Sequence, residues 1–115
     1  MKFFVLNRNN DFRRIYARGK SEVHPFLITY VLKNRRRYTR VGITASKKIG
    51  GAVKRNRVRR IIREAYRRLI PDVAPGYDII FVARVRTLQK KSTDVLYAMK
   101  KQLAALKILP PNGKA

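Results

Sequence analysis

The stretch KKIGGAVKRNRVRRIIREAYRRL, Lys47 to Leu69, carries two patterns at once. Wound as a helix from Lys54 onward at about 100° per residue, it gathers Val58, Ile61, Ile62, Ala65 and Leu69 into an arc of roughly 100°. That arc is a stripe for packing on a core. Asn56, Arg59, Arg60, Arg63 and Arg67 collect on the opposite side, and Arg55 and Arg57 take the two flanks. The spacing predicts a long helix anchored by one face and presenting guanidiniums on the other. Arginines three and four residues apart repeat at about 5–6 Å, close to the spacing of successive phosphates. Gly50 and Gly51 lead into the helix, whose free N–H groups and positive dipole end extend an anion-attracting region begun by Lys47 and Lys48. A charge run is ordinarily a solvated face. Here Glu64 is the only acid between Lys47 and Leu69, so the like charges are largely unpaired. A bound polyanion is the better reading.

The rest of the chain carries the same imbalance. It has 115 residues, with 29 Lys and Arg against 6 Asp and Glu, a formal charge of +23. Self-repulsion on that scale favours a polyanionic partner, nucleic acid first and an anionic membrane surface second. Arginine outnumbers lysine, and its planar fork holds phosphate bidentately and stacks on bases. The hydrophobic fraction of 45% is enough for one folded domain, expected to span 1–115. There is no cysteine, so disulfides and thiolate metal sites are excluded. No apolar run is long enough to span a membrane, and MKFFVLNRNN is too short for a secretory signal. A soluble cytoplasmic protein is expected.

Working outward, residues 1–9 read as an irregular arm. NNDFRRIYARGK reads as a short helix capped by Asn9 or Asn10 and stopped at Gly19, with Phe12, Ile15 and Tyr16 on one face. Ser21 to Val31 is strand-like, and Pro25 divides it into a short edge piece and a longer strand. Tyr38 to Ser46 is a second strand, with Val41, Ile43 and Ala45 on one face. The short basic connection Lys33 to Tyr38 predicts that these two strands form an antiparallel hairpin. Tyr77 to Val85 is a further strand after Pro75 and Gly76. A last helix, capped by Ser92 or Thr93, carries Val95, Leu96, Met99, Leu103 and Leu106 as its stripe, and about 108–115 form a tail. The order of elements predicts a two-layer α+β domain.

The string Lys47, Lys48, Ile49, Gly50, Ala52, Val53, Arg55, Asn56, Arg57, Arg59, Arg60, Ile62, Arg63 resembles the signature of the bacterial ribonuclease P protein component. The likeness extends through Asp11, Phe12, Ile15, Tyr16 and Gly19, through Arg40 to Lys48, and through Tyr77 to Arg84. It implies an α-β-β-β-α-β-α order, a central, mostly antiparallel sheet and a left-handed crossover. It implies a small basic subunit of a ribonucleoprotein that removes the 5′ leader from precursor tRNA. The catalyst would be the RNA subunit working with magnesium ions, so no catalytic residue is expected on the protein. By position, Lys47, Lys48, Lys54, Arg55, Asn56, Arg57, Arg59, Arg60, Arg63 and Arg67 become the surface for the catalytic RNA. Phe12, Arg13, Tyr16 and Tyr30 become a cleft for the single-stranded leader; Tyr16 stands where the family often has phenylalanine. The partners implied are that RNA and precursor tRNA, with no membrane and no obligate protein partner.

Smaller signals weigh on either side. Phe12 and Tyr16 at i, i+4 are more often core than platform, but aromatics beside Arg13, Arg14 and Arg18 suit an unpaired strand. Asp11, Glu22, Glu64, Asp72, Asp78 and Asp94 are scattered along the chain, with no evident pair to hold a metal or to work as acid and base. His24 is the only histidine and reads as a solvated strand-edge residue. Arg35, Arg36 and Arg37 read as a solubilising turn, with RNA contact as the alternative. A structural RNA-binding protein of the ribosomal type is the competing reading of the whole chain.

Overall fold

The structure is a computed structural model that describes residues 4–110. Its elements are β1 (Phe4–Val5), α1 (Asn9–Arg18), β2 (Lys20–His24), β3 (Leu27–Lys33), β4 (Arg40–Thr44), α2 (Ala52–Arg67), β5 (Tyr77–Ala83) and α3 (Ser92–Ala105). One five-stranded sheet runs in the order β1-β4-β5-β3-β2. The ladders of β3 with β2 and with β5 are antiparallel, and those of β4 with β5 and with β1 are parallel. The sheet is therefore mixed, and β5 is its centre.

The expected hairpin does not form. β5 lies between β3 and β4, pairing Tyr30 with Ile80 on one side and Gly42 with Ile80 on the other. The physical reason is burial. Ile79, Ile80 and Phe81 have no exposed surface, and a strand apolar on both faces takes the middle of a sheet. The arm is not irregular from Phe4 onward either: Phe4 and Val5 pair with Arg40 and Val41, and Leu6 is buried. Residues 1–3 lie outside the described residues.

The strands alternate cleanly between two cores. Leu27, Val31, Val41, Ile79 and Phe81 face α2 and α3, where they meet Val58, Ile62, Met99 and Leu103. Ile80, with Tyr30, Leu32 and Val82 beside it, faces the other way and packs with Leu6, Phe12 and Ile15. The larger layer pair is thus the sheet with α2 and α3, and α1 covers part of the opposite face. Leu6 donates its N–H to the Val41 carbonyl at 2.9 Å, so that carbonyl points at β1. For an L-residue on a strand this direction fixes the side chain's face, and Val41 faces α2. With β4 pointing up, β1 on the left and β5 on the right, α2 then lies behind the sheet. The passage β4–α2–β5 is left-handed, against a strong right-handed default.

The ends of the elements follow different devices from those expected. Asn9 and Asn10 lie inside α1, and Arg8 takes the cap position without a side-chain hydrogen bond. Ser92 is the first residue of α3; the Lys91 N–H is instead satisfied by Asp94 Oδ2 at 3.0 Å. The tail starts later than 108, because Ile108 and Leu109 are buried in the main core. Residues 111–115, the rest of the expected tail, lie outside the described residues.

Candidate nucleic-acid interface

α2 separates the two patterns of its sequence. Val58, Ile62, Ala65 and Leu69 are buried, and Ile61 is half-buried against the same core. Lys47, Lys48, Lys54, Asn56, Arg57, Arg60, Arg63 and Arg67 are exposed. Arg59 is half-buried, and its Nη1 donates to Asn56 Oδ1 at 3.1 Å, which holds the guanidinium along the helix. Arg67 pairs with Glu64 at 3.2 Å, so its charge is partly spent at home. Arg55 is half-buried, and its Nε has no hydrogen-bond partner among the described residues. A short 3-10 turn, Lys47–Ile49, delivers the chain to the helix. Gly50 follows at φ 138°, a conformation that glycine tolerates and other residues rarely adopt.

On the opposite face of the sheet, three aromatic rings form a row. Phe12 and Tyr16 have ring centroids 6.4 Å apart, and Tyr16 meets Tyr30 edge-on at 4.8 Å. Tyr16 is 42% exposed, while Phe12 and Tyr30 are half-buried. The row needs Gly42, which sequence reasoning passed over: a Cβ there would sit 2.7 Å from Phe12 Cζ. Arg13 is exposed on α1, turned about 100° from Phe12. The same sheet face runs on into a cleft of about 670 Å³ whose walls include Ile28, Val82, Lys48, Arg84 and Arg86. Lys48 thus links the lead-in to α2 with the aromatic side of the sheet. The sequence reading placed Arg84 inside the last strand and gave Arg86 no part; the fold brings both to this cleft.

α1 is fastened to the sheet by a charge cluster that the scatter of acids along the sequence concealed. Asp78 on β5 is fully buried. Arg40 donates to it from Nε at 2.9 Å and from Nη2 at 2.7 Å, Asn34 from Nδ2 at 2.9 Å, and Arg14 from Nη2 at 3.0 Å. Asp11 joins through Arg14 at 3.3 Å and Arg40 at 3.6 Å. Burial alone would raise the Asp78 carboxyl, but the hydrogen bonds from Arg40, Asn34 and Arg14 outweigh it and hold it below the usual range. The one signal in the sequence was a lone acid opening an otherwise apolar strand. His24 is half-buried rather than solvated: Phe26 donates its N–H to Nδ1 at 3.1 Å, and burial, followed by Lys101, lowers the imidazole's basicity. No group of three or more His, Asp or Glu is gathered among the described residues, and no described helix is long and apolar enough to cross a membrane.

Comparison with known proteins gives this geometry a family. The family model for Ribonuclease P matches residues 1–107. The Ribonuclease P protein component of Clostridioides difficile (strain 630) is 50% identical over 91 residues, 78% of this chain and 80% of that protein. Its counterpart in Clostridium botulinum (strain Loch Maree / Type A3) is 42% identical over 100 residues, 86% of this chain and 90% of that protein. The solved RNase P protein of Staphylococcus aureus matches with a TM-score of 0.82 at 30% identity, covering 94% of this chain and 99% of that one. The RNase P protein from Thermotoga maritima matches with a TM-score of 0.75 at 27% identity, covering 88% of this chain and 94% of that one.

Proposed function

This chain belongs to the ribonuclease P protein family, and from that premise we propose that it is the protein subunit of a ribonucleoprotein that removes the 5′ leader of precursor tRNA. The observation that carries the reading is α2. It keeps Val58, Ile62 and Ala65 at 0% exposure while lysines and arginines on its other side face solvent. That is a rigid positively charged rod on a core, suited to an RNA backbone. We assign Lys47, Lys48, Lys54, Arg55, Asn56, Arg57, Arg59, Arg60, Arg63 and Arg67 to the catalytic RNA. Phe12, Tyr16 and Tyr30, with Arg13 at the rim, receive the unpaired leader by stacking, worth about 1–3 kcal/mol per base.

In this reading the RNA subunit performs the hydrolysis with magnesium ions, and the protein acts on charge. Its cations lower the repulsion between two polyanions and so ease filling of the magnesium sites. Arg55, whose Nε has no hydrogen-bond partner among the described residues, is suited to hold a phosphate at the start of α2. The working place is the cytoplasm.

The test is cleavage of precursor tRNA with the protein alone, the cognate catalytic RNA alone, and both. The expected result is no cleavage by protein alone and a large gain over RNA alone at low magnesium. Efficient metal-dependent cleavage by pure protein would refute the division of labour. A structural RNA-binding role of the ribosomal type would instead leave cleavage unchanged and leader affinity indifferent to Phe12→Ala and Tyr16→Ala.

A further inference from the structure

The loop Arg35–Arg37 is built more firmly than a solubilising turn requires. Asn34 organises it: its Oδ1 accepts the Arg36 N–H at 2.7 Å, and its Nδ2 donates to the Tyr38 carbonyl at 3.1 Å and to buried Asp78 at 2.9 Å. The Asn34 N–H donates to the Gly76 carbonyl at 2.9 Å, and Thr39 Oγ1 donates to the Ala74 carbonyl at 2.7 Å. Arg35 takes a left-handed φ of 64°, which costs a side-chain-bearing residue energy and is held here by the surrounding bonds. All three arginines are exposed, and among the described residues none of them pairs with a carboxylate.

Beside them lies an aromatic pair. Phe4 and Tyr38 have ring centroids 4.1 Å apart, and Phe4 is 47% exposed. Arg36 reaches the same pair, with its guanidinium carbon 5.8 Å from the Tyr38 ring centre and Nη1 donating to the Tyr38 hydroxyl at 3.2 Å. A hollow of about 200 Å³ joins Phe4, Arg37 and Tyr38 to Tyr66 and Ile70, where α2 ends. An exposed ring flanked by unpaired guanidiniums on a fixed backbone is the combination that takes an unpaired nucleotide: a face for the base and forks for its phosphates.

We propose that Phe4, Tyr38 and the Arg35–Arg37 loop form a second nucleotide-binding site, distinct from the aromatic row on α1, occupied by an unpaired nucleotide of the catalytic RNA. The source follows from position. The site adjoins the C-terminal end of α2, along which exposed Lys54, Arg57, Arg60, Arg63 and Arg67 run for about 20 Å. An RNA strand laid along α2 comes to the end of the helix beside the loop after roughly three phosphates at about 6 Å each. The proposal rests on the RNA-subunit reading of α2.

The experiment titrates the full-length protein with the cognate catalytic RNA across a range of salt, in one arm without precursor and in a second with leader-bearing precursor tRNA. Phe4→Leu keeps an apolar group on the strand but removes the ring; affinity should fall about fivefold or more. Arg35→Ala combined with Arg37→Ala should flatten the slope of log K against log salt by about one unit or more, since each single-strand phosphate contributes about 0.7. Melting temperatures of these variants should match the parent. Binding within twofold of the parent for both variants overturns the site. A loss seen only with leader-bearing precursor overturns the assignment to the catalytic RNA. Arg59→Ala with Arg60→Ala is run in parallel: if that variant also binds normally, the α2 reading fails as well, separately from this site.

Discussion

Single positions show where the chain bends ordinary rules. α3 ends with Lys107 donating its N–H to the Ala104 carbonyl at 3.0 Å and Ile108 to the Leu103 carbonyl at 2.8 Å. That is a Schellman closure, and its left-handed residue is normally glycine; here Lys107 holds φ 64°. Lys107→Gly should therefore raise the urea midpoint, by about 1 kcal/mol of stability. A lowered midpoint would show that the lysine side chain makes a contact outweighing the strain. Gly19 is the reverse case. Its φ of −74° suits any residue, but a Cβ would sit 2.6 Å from the Ile15 carbonyl oxygen and 2.8 Å from that of Val31. The sequence marked Gly19 as a helix stop, but not that a neighbouring strand presses on it. Asp78→Asn should cost about 3 kcal/mol, because it leaves Arg40 and Arg14 without their buried counter-charge. The wild-type carboxyl is held below its ordinary 3.8, so its contribution is complete above that value and fades as pH falls through the lower folded value. Acid titration of stability should thus be flatter in the Asn variant below about pH 4.

Among the elements, α2 was the most legible and the sheet edges the least. The 3.6-residue period separates anchor from surface without tertiary information, which is why Val58, Ile62, Ala65 and Leu69 could be placed from spacing alone. Tyr66 escaped because it lies beyond that arc; it is buried with its ring 5.5 Å from Phe81. Gln102 escaped for a related reason. It sits within the α3 stripe, fully employed: its Oε1 accepts from Thr29 Oγ1 at 2.6 Å and its Nε2 donates to the Leu27 and Glu22 carbonyls. A polar residue satisfied by a strand remote in sequence leaves no periodic trace. The two faces of α2 give opposite mutational signatures. Val58→Asp should abolish the cooperative thermal transition, since it buries a charge with no partner. Arg60→Ala should leave the transition in place while weakening RNA binding and its salt dependence; unfolding of that variant would mean the surface was misassigned.

For the molecule as a whole, +23 on 115 residues means that the isolated protein carries a self-repulsion its RNA partner relieves. At equal ionic strength, phosphate or sulfate buffer should raise the melting temperature above that in chloride, through multivalent anions on the basic surfaces. Equal melting temperatures would show that the cations are already spaced too widely to matter. The composition therefore spoke clearly for a polyanionic partner, and the motif string for the family. What neither carried was connectivity, because strand order depends on which ridges bury best, not on which strands are neighbours in sequence.

That connectivity sets a timetable. The strand at the middle of the sheet, Tyr77–Ala83, is made after all its neighbours. Until it emerges, β3 and β4 have no common partner, and the clustered cations of residues 47–68 are already on the growing chain with no sheet to anchor them. Closure must wait for pairings between distant segments, which makes folding slow compared with a helical protein of this size. A fragment ending at residue 76 should show no cooperative unfolding, and adding residues 77–110 should restore it. A nascent chain of this protein is therefore a basic, unfolded segment for as long as it takes to synthesise the last third, and its exposure to any nearby RNA begins before it has a shape.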